Sequence, residues 1–380
     1  QVTAFRLSRH HLSERAPAAA MGSVAGDIMG AQAQVLSAAE ISLWARTSVP
    51  KIEAVDAALW KDRTLVRAWC MRRTMFLLPS DEFAVFARGT ARRSDYNLNW
   101  ALSRVNSKER FDKLLADLAE ILEEPRSRGD IARLLKAQGH RMKSQAGGGW
   151  GDKRTVPFVE VGGASFSVGF LLHVIGEIHA ICSGPNVGNE STYVRADEWL
   201  PHWKDITQEQ AEEELLLKYL RAYGPATLAD FALWMGLYIR DAKPIWSGGA
   251  EKMEQVDVEG WKAEVLQSDL PRLKAARVDE HVVRLLPFFD SFLLGHKSHQ
   301  SVVDEKNRKK VYRPQGWVSP VLLVDGRALG TWSHAQSKGG LEVRVKTFSK
   351  LSASVTSKLR EEASSLGRFL GSPDARTLIA

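Results

Sequence analysis

Cysteine is scarce in this chain of 380 residues: Cys70 and Cys182 lie far apart and outside any Cys-x-x-Cys spacing. That excludes a disulfide framework and a cysteine zinc site. An uninterrupted apolar stretch is also missing. The run from Val168 to Ile181 is broken by His173, Glu177 and His179, so no membrane span is read. No apolar signal region follows the first basic residues. Because the chain begins at Gln1 rather than Met, that absence speaks only for the residues present. A reducing, cytoplasmic setting is expected. Gly147-Gly-Gly149 lacks the Lys-Ser/Thr that completes a phosphate loop and reads as a flexible connection. His296-Lys-Ser-His299 spaces two histidines at i and i+3 with no Cys or carboxylate to complete a zinc set. No metal and no cofactor are expected.

What is present is ordinary globular material, 44% hydrophobic and 26% charged, long enough for two or three domains with their own cores. The net charge of +7 is concentrated. From His296 to Lys350 there are eleven Lys or Arg against four Asp or Glu, an excess equal to that of the whole chain. A localised basic surface is the footprint of a nucleic-acid binder, and equally of a solvated face that keeps a protein soluble.

Three stretches repeat one plan of helix, tight polar turn and capped second helix. In the third, Thr207-Gln-Glu-Gln210 is a capping box, the helix runs to about Tyr223, Gly224-Pro225 breaks it, and Thr227-Leu-Ala-Asp230 caps a second helix ending near Gly236. In the second, a helix from about Phe111 to Glu123 breaks at Glu124-Pro125, and Ser127 caps a helix to Gly139. In the first, a helix over Val24 to Ala31 leads through Gln32-Ala33-Gln34 to a helix over 37–47, opened by Ser37-Ala-Ala-Glu40 read as a capping box. Leu65 to Leu78, carrying Arg67, Arg72 and Arg73 and stopping at Pro79, predicts a two-stranded wing. An apolar helix over Phe170 to Ala180 precedes a second wing over Cys182 to Val194, with turns at Gly184-Pro185 and Gly188-Asn189. From about Val256 the texture turns to strands, with a hairpin at Asp325-Gly326, another at Ser337 to Gly340, and a final amphipathic helix over Lys350 to Leu370.

The expected fold is α+β: three tandem winged-helix domains over 1–105, 106–200 and 201–380, the last carrying a C-terminal β-rich hairpin region. Helical pairs are common, and any one copy could serve core packing alone. Asp290, in the apolar run Leu285 to Leu294, is read as a structural cap or arginine partner rather than a catalyst.

Gln32-Ala33-Gln34 is the candidate for chemistry. On a helix, side chains two apart point about 200° away from each other; in an extended connector they share a face and can serve one water or one substrate edge. By itself the triplet is ordinary polar loop.

Several blocks in order, Gly30-Ala-Gln-Ala-Gln34, Leu43-Trp-Ala-Arg46, Arg73-Thr-Met75, Leu220 to Thr227, Leu285-Leu-Pro-Phe-Phe-Asp290, Gly316-Trp-Val-Ser-Pro320 and Gly330-Thr-Trp332, resemble the winged-helix DNA glycosylases of the AlkZ and YcaQ family. The likeness spans roughly residues 5 to 370. It implies three tandem winged helices and hydrolysis of the N-glycosidic bond of alkylated purines, including bulky N7-alkylguanines and some interstrand crosslinks. In that family a Gln-apolar-Gln or Gln-apolar-Asp motif holds the catalytic water, which assigns Gln32 and Gln34 as catalytic. The second glutamine makes the chain similar to the AlkZ branch, which includes self-resistance enzymes of organisms that make DNA-alkylating compounds. Phe76 is a departure: many members carry histidine there.

The expected partner is double-stranded DNA with an alkylated purine, bound by a monomer. Arg46, Arg72 and Arg73, Lys309, Lys310 and Arg313 in the basic stripe, and His334 and Lys338 on the second hairpin are the expected DNA contacts. The competing reading is a non-enzymatic winged-helix regulator or architectural DNA binder, which would be dimeric and sequence-selective. An RNA-binding module lacks the aromatic-rich sheet motif it would need.

Overall fold

Three times along the chain a helix ends in a short connector that pairs with the second strand of a later β-hairpin. The computed structural model describes residues 1–93, 96–146, 155–188, 190–200, 203–278, 281–298, 301–337 and 340–380. Helix α1 (Val2–Arg9) leads into the first unit: α2 (Met21–Asp27), β1 (Ala31–Gln32), α3 (Leu36–Trp44) and α4 (Glu53–Asp56), then the hairpin β2 (Leu65–Trp69) and β3 (Met75–Pro79), with β1 antiparallel to β3. After α5 (Phe83–Gly89) and α6 (Tyr96–Leu102), the second unit runs α7 (Lys108–Ile121), β4 (Arg126–Ser127) and α8 (Arg128–Ala137). A sheet of β5 (Arg141–Ala146), β6 (Thr155–Val161) and β7 (Ala164–Ser167) is inserted before α9 (Val168–Glu177) and the hairpin β8 (Ile181–Val187) and β9 (Glu190–Arg195), and β4 pairs with β9. Past α10 (Ala196–Trp199), the third unit is α11 (Gln208–Tyr223), α12 (Leu228–Met235), α13 (Ile239–Gly248) and the hairpin β10 (Met253–Val258) and β11 (Trp261–Leu266). Its connector is reduced to Ala226, bridged to Glu264 of β11.

The remainder, α14 (Leu270–Ala275), β12 (Val283–Leu286), α15 (Ser291–Leu294), α16 (Arg308–Val311), β13 (Val321–Val324), β14 (Arg327–Ser337), β15 (Gly340–Thr347), α17 (Ala353–Phe369) and β16 (Ala375–Ile379), builds a five-stranded sheet in the order β12-β13-β14-β15-β16. It is antiparallel except that β16 runs parallel to β15. The Asp325-Gly326 turn has both residues at positive φ, 50° and 82°, as a tight two-residue hairpin requires. Residues 338 and 339 of the next hairpin, and Gly147-Gly-Gly149, lie outside the described residues.

Local rules account for the second and third units. Ser127 accepts the Asp130 N–H, and both Thr207–Gln210 and Thr227–Asp230 form reciprocal capping boxes. Two expectations are corrected. Ser37 is no cap: the Val35 carbonyl already accepts from the Ala38 and Ala39 N–H groups, so α3 begins at Leu36 with Val35 in the cap position and Ser37 inside the first turn. Gly184-Pro185 is no turn but the site of a register shift within β8, where a bulge accommodates the proline without breaking the hairpin. The sheet of β5, β6 and β7 and the parallel strand β16 went unread in the sequence.

The first unit sits centrally. One buried cluster joins it to the second unit and the C-terminal sheet, and another joins the β2–β3 hairpin and α5 to the third unit. A buried ion pair fixes the first of these contacts: Arg46, at the end of α3, meets both carboxylate oxygens of Asp290 at 2.7 and 2.8 Å, and both side chains are fully buried. Asp290 also accepts from the Ser42 hydroxyl at 2.8 Å and caps α15 through the Phe292 N–H. The structural role read for Asp290 is borne out.

Candidate active site

The connector between α2 and α3 is held by β2, β3, α11 and α15. Gly30 opens it at φ 87°; a Cβ there would come within 2.9 Å of Leu78 and Phe76 side-chain atoms, so the chain can reach β3 only through glycine. Ala31 and Gln32 pair with Leu77 and Phe76, and the Ala33 N–H donates to the Met75 carbonyl at 2.7 Å. The connector is therefore extended through Ala33, the backbone state in which Gln32 and Gln34 alternate to the same side.

Neighbours hold its backbone from three directions. Arg67 of β2 donates from Nε and Nη2 to the Ala33 carbonyl at 3.2 and 3.0 Å. Ser291 of α15 donates to the Gly30 carbonyl at 2.7 Å, and the Tyr223 hydroxyl of α11 lies 3.1 Å from the Ile28 carbonyl. Glu40, buried on α3, is pushed up to about 7 by that burial, with Asp56 adding to the shift and Arg67 opposing it. Sequence reasoning singled out none of these as site residues. The available signal was Arg67 itself, an arginine in the otherwise apolar strand Leu-Val-Arg-Ala-Trp.

Gln32 is nearly buried, 9% exposed, and Gln34 is exposed. The Gln32 Oε1 accepts from Arg72 Nη2 at 2.8 Å. Arg72 sits at φ 55° in the β2–β3 turn, donates from Nη1 to the Trp234 carbonyl at 3.3 Å, and stacks over the Trp234 and Phe76 rings at 4.3 and 5.3 Å. Burial lowers its guanidinium to about 10, still cationic at neutral pH. Phe76 is fully buried beneath the motif, edge-on to Trp234 at 6.2 Å.

The expected DNA contacts divide. Arg46 is corrected: fully buried in its pair with Asp290, it has no surface with which to meet a phosphate. Arg72 is turned inward onto Gln32 and Trp234. Arg73 is turned toward Glu177 of α9, Nε to Oε1 at 3.5 Å, with its guanidinium over the Tyr96 ring. Lys309, Lys310 and Arg313 are exposed; Lys310 reaches Asn307 Oδ1 at 3.1 Å and lies over Phe348. His334 is exposed on β14 and stacks on Trp332, where desolvation holds its imidazole below the usual value. Lys338 lies outside the described residues. His296 Nε2 bonds the Tyr223 carbonyl at 2.8 Å, and burial lowers it to about 3. Among the described residues no group of three His, Cys, Asp or Glu could hold a metal ion, and no helix is long and apolar enough to cross a membrane.

The family model for DNA glycosylase AlkZ-like proteins matches residues 25–369. This chain belongs to the AlkZ-like DNA glycosylase family. It is 30% identical over 342 residues to the interstrand DNA cross-link repair glycosylase of Streptomyces sahachiroi, covering 87% of this chain and 86% of the relative. The solved structure of the Streptomyces sahachiroi DNA glycosylase AlkZ superposes with a TM-score of 0.77 at 26% identity, covering all of this chain and 98% of that one. An AlkZ-like enzyme acts on DNA and hydrolyses an N-glycosidic bond, so the non-enzymatic regulator reading falls away.

Proposed function

We propose that this chain is a monofunctional glycosylase for alkylated purines, N7-alkylguanines above all, whose hydrolytic water is positioned by the Gln32-Ala33-Gln34 motif. The carrying observation is the way the connector is held: its Ala33 carbonyl accepts from Arg67 and its Gln32 amide oxygen from Arg72, beside an exposed Gln34. Alkylation at N7 makes guanine cationic, so the base leaves neutral and needs no strong general acid. What remains is to place water against C1′ and to stabilise the developing oxocarbenium ion, work that preorganised neutral amides can do. Neither glutamine titrates, and the rate of the chemical step is expected to be flat around neutral pH.

The three helix-connector-hairpin units are read as tandem winged helices over 1–105, 106–200 and 201–380. The exposed Lys306, Lys309 and Arg313 are read as a phosphate-binding stripe that grips the duplex without reading sequence, as a lesion enzyme needs. The likeness to a cross-link repair glycosylase extends the proposal to bulky adducts and to unhooking of crosslinks joined through N7. A crosslinked base cannot swing freely out of the duplex, which favours a site that reads a shallowly exposed lesion.

The test is base release from duplexes carrying N7-methylguanine, a bulky N7 adduct or an N7-linked crosslink, beside an unmodified control. Release from the first is expected, and release from the crosslink would extend the substrate range. Release from none would overturn the reading.

A further inference from the structure

Gln32 is held by a residue that can only donate, and this decides which end of its amide is free. A guanidinium carries five N–H donors and no acceptor, so the atom facing Arg72 Nη2 at 2.8 Å must be the amide oxygen. The Gln32 Nε2 makes no hydrogen bond among the described residues, yet it is not one of the buried, unpartnered polar atoms, so the little exposure Gln32 keeps includes its amide nitrogen. Arg72 in turn is fixed from the third unit. Besides the Trp234 carbonyl and ring, Gly236 ends α12 at φ 71° so close that a Cβ there would lie 2.8 Å from the Arg72 Cα. A side chain at that position would push α12 off the β2–β3 turn.

Building on the glycosylase reading above, we propose that Arg72 is a positioning residue that locks the Gln32 amide with its NH2 toward the DNA. The two glutamines then divide the work. Gln32 donates to an oxygen of the sugar-phosphate at the lesion, and Gln34, exposed and free of Arg72, supplies the carbonyl that accepts a hydrogen bond from the attacking water and so orients it toward C1′. The clamp also places part of the catalytic geometry under the control of α12, in a different helical unit from the motif.

Single-turnover release of N7-methylguanine at saturating DNA tests this through a double-mutant cycle. Arg72→Gln is expected to slow release by about 10-fold or more with little change in DNA affinity, and to cost nothing further in a Gln32→Ala background. Gln32→Glu keeps the oxygen for Arg72 but deletes the donor, and should lose as much as Gln32→Ala; Gln34→Glu keeps an acceptor and should lose less than Gln34→Ala. An Arg72 effect that persists in full without Gln32, or a Gln32→Glu enzyme as fast as the wild type, would overturn the proposal. Arg72→Met, which keeps an unbranched stem and removes every donor, serves where Arg72→Gln fails to fold. Side-chain amide NMR decides the matter independently of activity: the Gln32 Nε2 order parameter should be high in the wild type and fall in the Arg72 variants, and an unchanged value would overturn the clamp even if the wild type proves inactive on this substrate.

Discussion

The connectors of the first and third units are built on the same plan and finished in opposite ways. In the third, Thr227 and Asp230 cap each other, Ala226 is buried and bridged to Glu264, and Arg6 from α1 donates to the Gly224 and Pro225 carbonyls. Every polar group of that turn is satisfied and nothing is offered outward. In the first there is no cap hydrogen bond; β3, Arg67, Ser291 and Tyr223 hold the backbone from outside, and two amides are left beside the surface. A self-contained turn can be sealed and used for packing. A turn whose backbone is held by its neighbours can spend its own side chains on chemistry.

Breaking the external supports should therefore hurt the first connector far more than local changes hurt the third. The largest effect is expected at Asp290. Asp290→Ala leaves the Arg46 guanidinium charged, buried and unpaired at the end of α3, and should destabilise the protein by about 3–5 kcal/mol in urea denaturation. Loss below about 1 kcal/mol would mean that α3 is anchored elsewhere. Removing one motif amide, Gln32→Ala or Gln34→Ala, should slow single-turnover base release by about 10- to 1,000-fold, with thermal stability nearly unchanged for the exposed Gln34.

Glu40 sharpens the comparison through pH. Burial raises its carboxyl from 4.5 to about 7, so between those values the folded protein keeps a proton that the unfolded chain has released, and stability falls as pH rises through that window. Glu40→Gln should remove that loss: near-neutral at pH 4.5, and stabilising by on the order of 2 kcal/mol at pH 8. Equal denaturation midpoints for the two proteins at pH 8 would place the Glu40 carboxyl in an ordinary environment. The smallest effect belongs to the sealed turn, where Thr227→Ala should cost about 1 kcal/mol of stability and leave base release unchanged.

What the sequence made legible follows the same division. Thr207, Thr227, Gly236, Ser127 and the Asp325-Gly326 turn act within a few residues, and each does what its local pattern predicts. Ser37 misled because the start of α3 is set by the pairing of Ala33 with Met75, some forty residues away. Arg46 misled for the same reason on a longer scale: its partner, Asp290, lies 244 residues later. The Gln-Ala-Gln triplet is visible as a motif, but the arginines that hold it come from the β2–β3 hairpin, and only Arg67, alone among apolar strand residues, carries a local signal. The sheet of β5, β6 and β7 interrupts the second unit between α8 and α9, and β16 pairs with β15 only after α17 has crossed, so neither follows from adjacent pattern.

The unsealed connector, not its sealed counterpart, is expected to be the site of chemistry. The most direct measurement is single-turnover release of N7-methylguanine at saturating DNA by the wild type, the Gln32→Ala, Gln34→Ala double variant and Thr227→Ala. Rapid release is expected from the wild type and Thr227→Ala, and almost none from the double variant. Release by the double variant at the wild-type rate would contradict this and move catalysis to another part of the molecule.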